Sequence, residues 1–248
     1  MMLTAEDMHE TASQFNLPLL RIGSVTFLAG LAIFAISTAF HASREDPTNH
    51  LRVFAEYANS QPWIAAHIGQ FVGEIIIFAG GFVCLFRLLV QSESMTVSTL
   101  AWIGFAIAII AASTLAILQA VDGITLKRAV DSWVVAPAEE KMAAFRVAEG
   151  IRWTEIGTNS IYRILQGTVA IVFAVAITIS RIVGRWIGAI GIFAGAVTIA
   201  AGVEVAYEGF GSYSHVGFGA NWYSNIWIGI LGAFMWRETL SKKVLPVS

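Results

Sequence analysis

The sequence predicts an all-α polytopic membrane protein, with six transmembrane helices in a single bundle and connections on one side that are themselves helical. Three observations carry this. Hydrophobic residues make up 56% of the chain and charged ones 13%, against roughly 25% charged in soluble domains, and mean hydropathy is +0.70. The apolar residues fall in six sparsely charged runs close to the ~20 residues that a helix needs to cross a bilayer. Stretches rich in turn- and cap-forming residues separate the runs. The 248 residues suit one such domain and leave no room for a second.

The first run, Leu19 to Phe40, is uncharged after Arg21. The preceding MMLTAEDMHETASQFNLP has no apolar centre, unlike a cleaved signal, so the first helix is expected to act as the insertion signal and to stay. The connection from His41 to Pro62 contains DPTNHLRVFAEYANSQP, a short surface helix begun by Asp46 or Thr48 and closed before Pro62. The second run is Trp63 to Leu89. The third, Leu100 to Val121, flows into QAVDGITLKRAVDSW, a soluble-looking helix in which Lys127 and Asp131 form an i, i+4 surface pair. Pro137 breaks that helix, and PAEEK, with an early proline and two glutamates, starts the next. The fourth run is Asn159 to Ser180. After the basic turn RIVGRW, the fifth, Ile187 to Tyr207, continues the small-residue spacing Gly184, Gly188, Gly191, Gly195 that lets helices approach closely. The Gly- and aromatic-rich stretch EGFGSYSHVGFGANWY leads to the sixth, Ser224 to Leu240.

Six spans put both termini on one side. Arg87, Arg181, Arg185, Arg237, Lys242 and Lys243 lie at that side with few acids, which by the positive-inside rule makes the termini cytoplasmic. Trp102, Trp186 and Trp236 then mark the inner interface, and Trp63, Trp153 and Trp222 the outer one. With 15 basic and 17 acidic residues and no basic block, nucleic acid is excluded as the main partner. The lone Cys84 allows no internal disulfide.

Function is read from the charge that survives inside the runs. Arg152, Glu155, Asn159, Tyr162, Arg163 and Gln166 recur at intervals of three or four and so share one helix face. His67, Gln70 and Glu74 do the same on the second run. Counting back along straight helices at ~1.5 Å per residue, His67 and Glu74 lie roughly 30 and 20 Å from Arg87, and Gln119 and Asp122 roughly 32 and 36 Å from Ser98. The same count places Arg163, Glu155, Glu204 and Glu208 at the leaflet facing away from the cytoplasm. The long connections on that side, with His41, His50 and His215, could roof a chamber. Charge within a bilayer costs at least ~2.5–3.5 kcal/mol per residue, so such groups face a partner or a wet cavity and mark candidate sites.

The expectation is a polar chamber, open on the non-cytoplasmic side, that binds a small polar or amphiphilic ligand. Its lining is His67, Gln70, Glu74, Gln119, Asp122, Arg152, Glu155, Asn159, Arg163, Glu204 and Glu208, with Arg152 and Arg163 suited to an anionic group. One alternative is an intramembrane metal-dependent hydrolase, with ligands drawn from His67, His215 and Glu74 or neighbouring carboxylates; three protein ligands and an open position make a catalytic zinc site. A serine mechanism would need Ser160 near His67 and Asp122. Another alternative is a structural or accessory subunit with a buried ion pair only. The expected partner is the lipid bilayer, and a homo-oligomer or larger membrane complex is compatible.

The segments QFVGEIIIFAGGFVCLFRLL and RWIGAIGIFAGAVTIAAG, with a C-terminal span ending in basic residues, resemble the uncharacterised bacterial multi-pass proteins grouped as the DUF4386-like family. The resemblance covers most of the chain. It implies a multi-pass fold in the bacterial inner (plasma) membrane and carries no activity or cofactor.

Overall fold

A computed structural model describes residues 5–41, 49–180, 184–210 and 215–241, with side chains described for 17–41, 49–180, 184–210 and 222–240. The regular elements among them are all helical. They are α1 (Ala5–Thr38), α2 (His50–Asn59), α3 (Trp63–Ile76), a π-helical turn π1 (Ile77–Phe82), α4 (Val83–Val90), α5 (Met95–Gln119), a second π-helical turn π2 (Ala120–Leu126), α6 (Lys127–Val135), α7 (Lys141–Ser180), α8 (Arg185–Glu208) and α9 (His215–Ser241). Among the described residues, five stretches are long and apolar enough to cross a membrane: Leu17–Thr38, Trp63–Val90, Met95–Val135, Lys141–Ser180 and Arg185–Glu208. The sequence predicts six. The remaining long helix, α9, packs between α1 and α8 and closes a ring that runs α1, α3, α5, α7, α8, α9 and back to α1.

The ring is held by apolar packing and a few interhelical hydrogen bonds. Phe82, on π1, meets Phe27 of α1 edge-on at 5.3 Å and stacks on Phe173 of α7 at 5.3 Å, with Trp227 of α9 at 6.3 Å. Ser24 Oγ donates to the Gly232 carbonyl at 2.7 Å, and Trp227 Nε1 to the Ile187 carbonyl at 3.0 Å. Each satisfies a polar group that lipid would leave bare. At the α7–α8 crossing a Cβ on Gly195 would lie 2.5 Å from the Gly167 carbonyl oxygen, and one on Gly167 would lie 2.5 Å from that of Gly195. Gly195→Ala should therefore force these two backbones apart and cost about 1–3 kcal/mol. Unfolding of the purified variant in detergent against the parent measures this; equal stability would show that the crossing is looser than described.

Two helical stretches are longer than a bilayer crossing needs. Met95–Val135 has 41 residues and Lys141–Ser180 has 40, about 60 Å each at ~1.5 Å per residue against a hydrocarbon layer of ~30 Å. Their stretches 100–121 and 164–180 carry no Asp, Glu, Lys or Arg, whereas the halves that meet around residues 122–158 are charged. There α2, α6 and the first half of α7 form a cap with its own core of Val53, Phe54, Tyr57, Leu126, Val130 and Ala148, together with Trp63 from the start of α3. Asn49 starts α2 by accepting from the Arg52 N–H at 3.1 Å; Asp46 and Thr48, the starts expected from sequence, lie outside the described residues.

Several boundaries differ from the sequence reading. The third helix starts at Met95 and continues without a break through π2 into α6. The fourth starts at Lys141, because the PAEEK helix and the apolar span share one axis. Lys127 is buried, reaching the Ala58 carbonyl at 3.2 Å besides its partner Asp131, so the pair ties α6 to α2 and is no ordinary surface pair. Trp63 is 0% exposed and belongs to the cap core, whereas Trp102, Trp153, Trp186, Trp222 and Trp236 are all exposed as an interfacial belt requires.

Candidate functional site

The cap meets the bundle where α3 begins, and the site is built there around backbone groups. Trp63 Nε1 donates to the Asp122 carbonyl at 3.1 Å, while the Trp63 carbonyl lies 2.7 Å from His67 Nδ1. A carbonyl only accepts, so Nδ1 is the ring nitrogen that carries a proton. The other nitrogen, Nε2, is 2.9 Å from Asp122 Oδ2. In a neutral imidazole that nitrogen is also an acceptor. Acceptor then faces acceptor unless a positive charge joins them.

Asp122 reaches this position because it rides on π2. A π-helical turn interrupts the i→i−4 register, and the next residue, Gly123, has no side chain to keep π2 away from α3: a Cβ there would sit 2.4 Å from His67 Cβ. His41, in the turn that follows α1, donates its backbone N–H to the Thr38 carbonyl at 3.0 Å. Its ring centroid lies 4.9 Å from those of both Trp63 and His67. One ligand-capable atom from each of His41, His67 and Asp122 lies within 4.8 Å of the others. Asp122 Oδ1 and Gln119 Oε1, one helical turn apart, are buried and accept no hydrogen bond from the described residues.

Beside this cluster stands an ion pair from the predicted polar seam of α7. Arg152 Nη1 donates to both Glu155 oxygens at 2.9 Å, and the two side chains are 1% and 2% exposed. The guanidinium lies over the rings of Tyr57, at 5.3 Å, and Phe210, at 4.7 Å. It is within electrostatic range of Asp122, as is His41. Further along the seam Arg163 Nε donates to Asn159 Oδ1 at 2.6 Å. Glu74 accepts from the Tyr162 hydroxyl at 2.8 Å and opens onto a cavity of about 10 Å³, also lined by Gln166 and Ser224, which is about enough for one water.

The structure thus brings His67 to Asp122, Arg152 to Glu155, Arg163 to Asn159, and Glu74 to the seam through Tyr162. It sends Gln70 elsewhere, to Thr38 Oγ1 of α1 at 3.1 Å. Glu204 is half-buried and Glu208, at the end of α8, is exposed; Glu208 does not share the burial of the others, because the last turn of α8 turns it outward. Glu74 stands with Tyr162 and not with His67, and the side chain of His215 lies outside the described residues. Ser160 Oγ donates to the Gly202 carbonyl at 2.8 Å, and both His67 nitrogens are engaged, so this pair lacks the arrangement of a serine nucleophile and its base. Arg152 holds Glu155 through Nη1 and lies over two aromatic rings, so an anionic ligand there would have to displace Glu155. His41 as a third member of the His67–Asp122 cluster carries no spacing signal that sequence reasoning could use. Comparison with family models, curated proteins and solved structures finds no match.

Proposed function

We propose that this chain is a multi-pass protein of the plasma membrane, with six spans, both termini cytoplasmic and kinship to the DUF4386-like proteins, which binds a small electropositive ligand in the polar site beneath its cap. The observation that carries the reading is a pair of buried acceptors, Asp122 Oδ1 and Gln119 Oε1, at the α3–π2 junction. Neither accepts a hydrogen bond from the described residues, and His67 Nε2 lies 2.9 Å from Asp122 Oδ2. An unsatisfied buried acceptor costs about 1–3 kcal/mol, more when charged, and a cation or an N–H donor offsets that cost. An anionic ligand, the other choice suggested by sequence, would have to compete with Glu155 for Arg152 and with Asn159 for Arg163 Nε.

The test is thermal unfolding of the purified protein, washed with chelator, in zinc chloride, methylammonium chloride or sodium phosphate. At least one of the two cations should stabilise the protein, by about 2.7 kcal/mol at a hundredfold excess over its dissociation constant, and Asp122→Asn should remove the effect. Stabilisation by phosphate alone, or by none of the three, would overturn the reading.

A further inference from the structure

We infer that His41, His67 and Asp122 form a binding site for one divalent first-row transition-metal ion. The inference rests on the electropositive-ligand reading above and names the ligand. The donor set is two imidazoles and a carboxylate within 4.8 Å of one another, contributed by the turn after α1, by α3 and by π2. Such a mixture of nitrogen and oxygen suits zinc or iron(II), whereas magnesium and calcium prefer oxygen alone.

The surroundings of His67 are those of a metal-ligating histidine. Such a residue donates its second ring N–H to a backbone carbonyl or carboxylate, which fixes the tautomer and aims the free nitrogen at the metal. His67 Nδ1 is fixed in this way by the Trp63 carbonyl at 2.7 Å. Trp63 itself is held by its indole N–H on the Asp122 carbonyl at 3.1 Å, so one tryptophan orients both His67 and the backbone that carries Asp122. The dimensions are close to those required. Ligand distances of ~2.0–2.2 Å in a tetrahedron put ligand atoms about 3.3 Å apart; His67 Nε2 and Asp122 Oδ2 are 2.9 Å apart and the three ligand atoms span no more than 4.8 Å. Asp122 Oδ1, buried and accepting no hydrogen bond from the described residues, offers either a second bond to the ion or an acceptor for a water bound to it. Three protein ligands leave room for such a water.

The experiment uses the full chain, purified in lipid nanodiscs without a polyhistidine tag. Its metal content is measured as isolated. After chelator treatment it is titrated separately with zinc chloride, iron(II) under anaerobic conditions, magnesium chloride as a control, and methylammonium chloride. About one zinc or iron ion per chain is expected, with no saturable uptake of magnesium. His41→Ala, His67→Gln and Asp122→Asn should each weaken binding at least tenfold. The X-ray absorption spectrum of the metal-loaded parent should show two imidazoles; this readout needs no variant and stands if one of them fails to fold. Tight binding that survives all three substitutions, or a spectrum without imidazole, would overturn the site. Binding of methylammonium without zinc or iron would overturn the metal but leave the electropositive-ligand reading intact. Binding of neither would sink both, leaving His67 and Asp122 as a structural ion pair only.

Discussion

Arg152→Met should be the most damaging single substitution in the cap, costing about 3–5 kcal/mol, because it removes the cation from a buried pair and leaves the anion behind. Glu155 would lose the guanidinium nitrogen that binds both its oxygens at 2.9 Å, in a place where its side chain is 2% exposed. The rings of Tyr57 and Phe210 would lose the charge that they flank, worth about 2 kcal/mol when desolvated. The double variant Arg152→Met with Glu155→Leu should recover most of the loss, since replacing both members of a buried pair by apolar residues of similar size is often neutral. Reversible unfolding in mixed micelles, run as a double-mutant cycle, measures both effects. An Arg152→Met protein as stable as the parent would mean that the pair contributes nothing to holding α7 under the cap.

Gly123→Ala should be almost as costly, although it adds only one methyl group. The new Cβ would lie 2.4 Å from His67 Cβ and 2.9 Å from Cγ, and neither can retreat, because α3 is anchored through Trp63 at that point. The π2 turn must move instead. Overpacking of this kind costs about 1–3 kcal/mol, and displacement would also break the His67–Asp122 and Trp63–Asp122 hydrogen bonds, each worth about 1 kcal/mol. Cation binding should disappear with the stability. Gly150 and Gly157, on α7, provide the control: nothing lies within 4 Å of a Cβ at either position, so alanine there should be neutral or stabilising by about 0.5–1 kcal/mol. If Gly123→Ala behaved like Gly150→Ala, π2 and α3 would not be in contact.

Much of the architecture is legible in the sequence because the bilayer limits a chain to few solutions. Apolar runs of about 20 residues mark the helices, and the i, i+3, i+4 recurrence from Arg152 to Gln166 marks a face whose Arg152, Glu155, Tyr162 and Arg163 are buried. The glycines of α8 also read correctly as close contacts, with Gly188, Gly191 and Gly195 packed on α7 or α9. The two π-helical turns have no such signature, since a π turn is a change in hydrogen-bond register and leaves residue composition untouched. With π2 goes the position of Asp122, and with it the partner of His67. Trp63 reads as an interfacial residue because a tryptophan next to a polar loop usually is one; only the cap that folds over it makes it a core residue. The cap is itself hard to foresee, because α2 and α6 look like solvated surface helices until their apolar faces find α7.

Buried polar groups on α3, π2 and α7 meet beneath the cap, with His67 Nε2 turned toward Asp122. An experimental density map of the protein in lipid, with anomalous scattering recorded at the zinc edge after zinc loading, tests this arrangement most directly. The account predicts His41, His67 and Asp122 around a single peak, with Trp63 bridging the two elements behind it. A map in which His67 or Asp122 points to lipid, or in which the peak lies away from both, would contradict it.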